Sequence, residues 1–303
     1  MSCLQEIHLI IRIFNNFIWQ DFCGNFPAPN LCIMKKILFV CSFSLLLFSC
    51  EKYNQPGIED NDIPLISKVL IGGEIYTEYV YNNVNLLIEE KSKFRYARHF
   101  YNGLNQLIKS DFYWDLSMAS SDSRVIEAAL NRKEWVNPEN TPKSIWHKYE
   151  YGNNDQLFRK SFIRASENNS DYLEFQYEND KIVRTTGYYN NIISGYTVYQ
   201  YYEDGNVSKQ TKYTVSSSGV AELTTTTEYE YDNMKNPYQS FRRFMTPGIY
   251  TNPNNIVKET YTLNFDVAPS IDKVQITEYS YTYNADGYPV KVNGEKEYVY
   301  KLN

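Results

Sequence analysis

Short runs of alternating apolar and polar residues fill the chain beyond residue 65, and clusters of turn-forming residues separate them. Many runs end in two aromatic residues two positions apart, as in Tyr149-Glu-Tyr151 and Tyr229-Glu-Tyr231. Such residues point to the same face of a strand. Asparagine, aspartate and glycine follow, and they readily adopt the positive φ that tight turns need. An apolar and a basic residue then begin a return strand, as in Ile182-Val-Arg184. We call this sequence motif the phrase, and each copy of it predicts a β-hairpin.

The phrase recurs along the chain as an internal repeat. The fold is therefore predicted from the repeat first and from its individual strands second. Counting two long intervals as double units gives a repeat of about two dozen residues, which suits two strands of about eight residues and two turns. The fold class predicted is all-β: antiparallel hairpins side by side in one long twisted meander sheet, with an open sheet and a sheet rolled toward a barrel left as alternatives. The copies end at Tyr81, Tyr101, Tyr151, Tyr177, Tyr202, Tyr231, Tyr283 and Tyr300.

The phrase lapses in two stretches. In the first, Ser121-Asp-Ser123 precedes Arg124–Leu130, and this capped pattern predicts one short helical insertion near 121–134. The second stretch, Pro237–Pro253, is rich in proline and asparagine and is predicted to be a long loop.

The N-terminal region carries a targeting signal. Two lysines after Met34 precede the apolar run Ile37–Phe48, which is shorter than the roughly 20 residues of a membrane-spanning helix. Leu47, Phe48, Ser49 and Cys50 resemble a lipoprotein signal, and the resemblance implies cleavage before Cys50 and acylation of its sulfur and amino group. The partner would then be membrane lipid, held through two or more chains. The alternative is a buried helix with Cys50 as a core thiol.

This signal divides the chain. Residues 1–33 are predicted to be an upstream mistranslated segment, with Met34 as the true start, because a lipoprotein signal begins at its own terminus. The alternative is that 1–33 are a genuine membrane-associating leader. Residues 34–49 are the signal peptide, 50–66 the lipidated cysteine with a flexible tether, and 67–303 the repeat domain. The predicted location is the cell envelope, at the outer membrane, with the periplasmic and surface faces both open.

The repeat domain resembles the YD-repeat (Rhs-like) proteins, whose units carry Tyr-x-Tyr-Asp-x-x-Gly followed by an apolar and a basic residue. The best copy here is Tyr281-Thr-Tyr-Asn-Ala-Asp-Gly-Tyr-Pro-Val-Lys291, with Asn284 in place of the aspartate. Similar degenerate units occur in lipoproteins of gut bacteria. The resemblance covers roughly Tyr79 to Tyr300. It implies a repeated β-sheet and an uncharacterised envelope role, and it implies no catalytic residues.

Composition removes several classes of function. A net charge of −6 and a pI near 5.3 argue against nucleic-acid binding. All five cysteines lie in the first 50 residues, so the repeat domain has neither a disulfide framework nor a cysteine metal site. His99 and His147 show no spacing typical of a metal site or triad and are predicted to be solvated strand residues. We therefore predict no enzyme, no metal and no cofactor.

Three tryptophans lie in or beside the first lapse, and they are candidate ligand-stacking residues: Trp114, Trp135 and Trp146. The alternative is that they cover bare sheet surface. The predicted function is a membrane-anchored, non-catalytic binding module that takes a glycan or an envelope protein as its partner. The other candidates are a purely structural envelope protein and a secreted glycan hydrolase with carboxylates in the 114–146 region.

Overall fold

The computed structural model describes residues 63–115, 134–164, 171–245, 247–264 and 273–301, all within a compact unit that comprises Ile58–Asn303. The predicted upstream segment, signal peptide and Cys50 lie outside these residues, as does most of the tether. The helix predicted near 121–134 lies outside them as well, except for Glu134.

Within these described ranges, seventeen strands form one antiparallel sheet, as the alternating pattern predicts. In chain order they are β1 Ile66–Ile71, β2 Glu74–Tyr81, β3 Leu87–Ser92, β4 Arg95–Tyr101, β5 Leu107–Trp114, β6 Lys143–Tyr151, β7 Leu157–Arg164, β8 Asp171–Glu178, β9 Lys181–Tyr189, β10 Ile192–Tyr201, β11 Val207–Val215, β12 Ala221–Lys235, β13 Asn254–Leu263, β14 Lys273–Glu278, β15 Tyr281–Tyr283, β16 Pro289–Val292 and β17 Lys296–Tyr300.

Consecutive strands pair from β1 to β14, and β15, β16 and β17 continue the sheet on the other side of β1. The sheet is open, since its end strands β14 and β15 do not pair with each other in the described part of the chain. In a flat sheet of seventeen strands, the sixteen inter-strand spacings of about 4.8 Å would separate β14 from β15 by roughly 77 Å. Only two residues join them, and that linker spans about 10 Å at most. The sheet must therefore curl until its two ends meet.

One tyrosine in each repeat unit fastens that unit to the one before it. Eight tyrosine hydroxyls each donate to a main-chain carbonyl at the start of the preceding strand in the repeat, at 2.5 to 3.0 Å. We call this contact the tyrosine clasp. Its donor–acceptor pairs are Tyr81–Ile66, Tyr101–Leu87, Tyr151–Leu107, Tyr177–Leu157, Tyr201–Ile182, Tyr231–Val207, Tyr281–Ile256 and Tyr300–Pro289.

The clasp explains why the phrase needs tyrosine. The ring packs near an apolar residue whose side chain is almost fully buried, such as Leu107 or Leu157, while the hydroxyl still finds an acceptor. Two copies align differently from the sequence prediction. The clasp uses Tyr201 and Tyr281 rather than Tyr202 and Tyr283, because only the former reach a carbonyl at the start of a strand. Tyr202 is instead nearly half exposed.

The turns at the clasp end adopt the predicted conformation. Asn85, Asn105, Asp155, Gly205 and Gly287 all have positive φ, between 60° and 93°. The side chain of Asn102 accepts from two main-chain amides of its turn, and the side chain of Asn82 does the same. The local turn chemistry therefore fixes the hairpin register.

The stretch predicted to be a long loop contains a short helix. Asn236 accepts from the amide of Tyr238 and begins a 3₁₀-helix over Pro237–Phe244, with proline at the first position. Phe241 is buried against Ile66, Val69 and Val292. Phe244 and Met245 pack against the other two hydrophobic clusters of the sheet. We call residues 236–245 and 247–253 the plug, because their buried side chains pack against the hydrophobic clusters of the curled sheet. No helix among the described residues has the length and apolar character to cross a bilayer.

Candidate functional site

A cavity of about 320 Å³ lies between the plug and the region where β14–β15 and β16–β17 meet. The plug forms one wall, the start of β13 a second, and the two ends of the sheet the others. Its lining residues are Asn236, Pro237, Tyr238, Gly248, Ile249, Asn252, Asn254, Asn255, Ile256, Tyr279, Tyr281, Val292, Asn293, Glu295, Lys296 and Tyr298.

Tyrosine rings and one ammonium group give the cavity its chemical character. Lys296 Nζ donates to Tyr238 Oη at 2.7 Å and lies 4.9 Å from the centre of the Tyr298 ring. The rings of Tyr238 and Tyr298 meet edge to face at 5.7 Å. Burial raises the pKa of Tyr298 and Tyr281 well above 10, so both phenols keep their protons at neutral pH. Glu295 is exposed at the same place.

Buried asparagines hold the plug in position. Asn252 is fully buried, accepts from the amide of Val207 at 3.0 Å and donates to Tyr231 Oη at 2.9 Å. Asn236 donates to the carbonyls of Ile249 and Asn252. Because these amides already have partners, they position the wall of the cavity. The groups that can contact a ligand include the ring faces, the remaining N–H donors of Lys296 and the carboxylate of Glu295.

Tyr279 is a partly exposed aromatic residue of the cavity lining. Its ring is partly exposed and its main-chain amide is held by Val257 of β13 at 2.8 Å, so the backbone is fixed while the side chain faces the cavity. Ile249, about half exposed, lies on the plug side. Together they offer apolar surface beside polar groups, the combination that small-molecule sites use.

A second polar cluster, on the inner face of the sheet, contains the residue types of a catalytic triad: Ser110, His99 and Glu90. Ser110 Oγ lies 2.9 Å from His99 Nδ1, and His99 Nε2 lies 3.5 Å from a carboxylate oxygen of Glu90. Burial alone would raise the pKa of Glu90, but contacts with His99 and Arg95 bring it below its ordinary value. Ser110 is fully buried and also contacts Tyr149 Oη. A substrate could not reach it without opening the sheet, so the geometry fits a buried polar network.

The two histidines were predicted to be solvated, and that prediction is wrong. His99 is only 3% exposed and stacks edge to face on Phe244 at 4.8 Å. His147 lies between Phe112 and Phe162, and burial lowers its pKa to about 3. Strand parity explains the error, because both residues share the inner face with the clasp tyrosines. In the described part of the chain no group of metal-ligating side chains is present.

The three candidate tryptophans do not line the cavity. Trp114 is 42% exposed and lies under the Arg95 guanidinium at 5.6 Å, on the inner face. Trp146 pairs with Asp111 on the opposite face, where Lys143 Nζ lies 4.4 Å from its ring centre. Trp135 is half-buried before the β6 strand. Trp114 and Trp146 therefore cannot stack on the same ligand.

The chain matches no protein-family model and no curated protein. Among solved structures it is similar to a DUF3836 family protein from Parabacteroides distasonis, at 15% identity over 36% of this chain and 91% of that chain, with a TM-score of 0.26. A porin-like protein from Bacteroides uniformis is similar at 10% identity over 78% of this chain and 96% of that chain, with a TM-score of 0.37.

A porin-like protein from Bacteroides vulgatus shows 11% identity over 78% of this chain and 99% of that chain, with a TM-score of 0.34. TM-scores this low do not establish a shared fold. The resemblance to YD-repeat proteins therefore stays a prediction.

Sequence reasoning missed the cavity because its residues come from four separate segments. The asparagines of the plug were interpreted as loop formers, and Tyr279, Tyr281 and Tyr298 as members of the repeat. One signal was available. Asn252 and Asn254–Asn255 follow a stretch that contains Tyr238, Phe241 and Phe244, and an aromatic-rich loop is more typical of a packed segment than of a solvated one.

Proposed function

We propose that this protein is a lipid-anchored binding module of the bacterial cell envelope, and that its cavity takes a small carbohydrate. The observation that carries the proposal is the cavity itself. Its volume of about 320 Å³ lies at the lower end of the roughly 300–1,000 Å³ of small-ligand sites. Such a space suits one or two sugar rings rather than a folded partner.

The wall chemistry favours a sugar over a purely apolar ligand. A sugar presents an apolar ring face and a rim of hydroxyl groups. The partly exposed ring of Tyr279 offers a stacking surface. Lys296 supplies a donor and Glu295 an acceptor, and Tyr281, whose hydroxyl donates to the carbonyl of Ile256, adds to the wall. These groups are held by the sheet and the plug, so little ordering is needed on binding.

Binding should be measured with the full chain in detergent micelles, first on a glycan array and then by calorimetry with the glycans that bind. Tyr279→Ala should weaken binding at least tenfold, because it removes the stacking ring. Tyr189→Ala is the matched control, since Tyr189 is a strand tyrosine that is 55% exposed and does not line the cavity. If the two variants weaken binding equally, or if no glycan binds at all, the result would favour the alternative that this is a purely structural envelope protein.

The anchor rests on the sequence of residues 34–50 and needs its own experiment. Wild-type protein should partition into the detergent phase after expression in a bacterial host, and Cys50→Ala should shift it to the aqueous phase. Unchanged partitioning of Cys50→Ala would defeat the anchor. The sugar proposal would survive that result, because the cavity is built from residues 236–298.

The tryptophans give a second stacking hypothesis that the same array tests. Binding lost in Trp114→Ala or Trp135→Ala but kept in Tyr279→Ala would move the site to that part of the sheet. Turnover of a polysaccharide by the wild-type protein would instead support the hydrolase. We expect no turnover through the Ser110–His99–Glu90 cluster, because Ser110 and His99 are buried.

A further inference from the structure

In the part of the chain that the structure describes, strand β14 pairs on one side only. Within the described ranges, β1 to β13 each pair with two neighbours, whereas β14 pairs with β13 alone. A strand with an unpaired edge presents main-chain donors and acceptors that another strand can use. Most folds avoid leaving such an edge bare.

The register shows which groups face outward. The amide of Tyr279 donates to Val257 of β13, so residues of the same parity, Gln275 and Thr277, also face β13. The N–H and C=O groups of Val274, Ile276 and Glu278 therefore point away from β13. At Ser280, one position of the same parity further on, the outward groups already have a partner.

That partner is Asn293, the last residue of the β16 side that bonds to this edge of the β14–β15 segment. Asn293 donates its main-chain amide to the carbonyl of Ser280 at 2.9 Å and accepts from the amide of Ser280 through its side chain at 2.8 Å. Asn293 has a φ of 50° and turns the chain away toward β17. Among the described residues, no strand therefore continues the line of β16 beside Glu278, Ile276 and Val274.

The side chains of this edge are apolar and open to solvent. Val274 is 60% exposed and Ile276 57% exposed, on the same face of the strand. Edge strands are usually protected by a central charge, a proline or a bulge. Here the β14–β13 register is regular, and the charged residues Lys273 and Glu278 lie only at its ends.

We propose that β14 binds an extended segment of a partner protein, which adds to the sheet as an antiparallel strand along the line that β16 leaves. Three N–H and three C=O groups at the spacing of a strand are complementary to another main chain, not to a sugar or a lipid. Val274 and Ile276 select apolar side chains at alternate positions of that segment. The site lies outside the cavity and does not depend on the carbohydrate proposal.

Proline at position 276 makes a specific probe of the edge. Because the amide of Ile276 faces away from β13, Ile276→Pro removes an outward donor and adds bulk without breaking the β13 ladder. Ile276→Val keeps the amide and most of the apolar surface, so it serves as the matched control. Both variants should show the far-ultraviolet circular dichroism of the wild type.

The probe is a phage-displayed random dodecapeptide library, selected on the full chain in detergent micelles. Peptides from the selection should lose at least tenfold in affinity for Ile276→Pro and no more than about threefold for Ile276→Val. In hydrogen exchange, bound peptide should slow the amides of Val274, Ile276 and Glu278. The amides of Gln275 and Thr277 should be slow with or without peptide, because they already donate to β13.

Three results would overturn the proposal. They are a selection with no peptide sensitive to Ile276→Pro, a bound peptide that leaves those three amides fast, and concentration-dependent protection of the amides without peptide. The last would assign the edge to a second copy of this chain. Sugar binding kept in Ile276→Pro shows that failure here does not extend to the cavity.

Discussion

Replacing Tyr151 by phenylalanine removes one hydroxyl from the tyrosine clasp and leaves its ring in place. In the wild type, Tyr151 Oη donates to the carbonyl of Leu107 at 3.0 Å. Leu107 is fully buried, and the Tyr151 ring packs against it. The substitution therefore tests the hydrogen bond separately from the apolar contact.

The expected loss follows from the net value of such a bond. An intramolecular hydrogen bond contributes about 1 kcal/mol to the free energy of unfolding, within a range of roughly 0.5–1.5. Tyr81, Tyr151 and Tyr201 belong to different repeat units and share no acceptor. Their effects should add, so the triple Tyr→Phe variant should lose about 3 kcal/mol. That is a large part of the 5–15 kcal/mol typical of a domain.

Urea unfolding followed by far-ultraviolet circular dichroism measures these losses. Tyr189→Phe is the control, because Tyr189 is 55% exposed and forms no clasp, and it should change the free energy of unfolding by less than about 0.5 kcal/mol. If Tyr151→Phe behaves like Tyr189→Phe, the hydroxyl contributes nothing, and the repeat is held by ring packing alone.

Three other predictions concern buried polar groups. Burial raises the pKa of Tyr151 and Tyr250 to about 12. Their contribution to the free energy of unfolding should therefore be constant below pH 10 and be lost as the pH rises through 12. Urea titrations at several pH values, with tyrosinate absorbance followed in parallel, would measure this loss. Burial lowers the pKa of Lys160 to about 8, below the 10.4 of an unfolded lysine, so the free energy of unfolding should rise between pH 8 and 10. Lys160→Met should remove that rise and stabilise the protein at pH 7 in the same titration. Asn252→Leu leaves the buried main-chain amide of Val207 without its acceptor. It should lower the free energy of unfolding, measured in urea, by about 2–3 kcal/mol, whereas the control Asn154→Leu, at an exposed position, should change it little.

The strands and turns were predictable because their chemistry is local. Aromatic residues two apart, followed by asparagine or glycine, determine both the face and the turn, and Gly205 and Gly287 have the positive φ that the pattern requires. The Gly72-Gly73 turn that joins β1 to β2 is equally local, since both glycines have positive φ. Each of these predictions needed only neighbouring residues.

Residues whose environment depends on distant strands were not predictable in this way. Nothing near Phe241 in sequence shows that it packs against Val69, since that contact exists only once the sheet has curled around the plug. His99 and His147 resembled solvated residues because the inner face also carries polar side chains. Trp114 and Trp146 are close in the sheet but lie on opposite faces, which only the register between β5 and β6 decides.

Both proposed binding sites lie at the place where the repeat fails to close on itself. Elsewhere in the described sheet each hairpin pairs with the next, so the strand edges have partners. At the ends of the sheet, β16 has only four residues, Pro289–Val292, and turns away at Asn293 while β14 continues. Because β16 ends there, no strand of the described residues covers the edge of β14 at Ile276. A longer β16 would continue beside β14 and cover that edge, so the short strand is the feature on which the edge site depends.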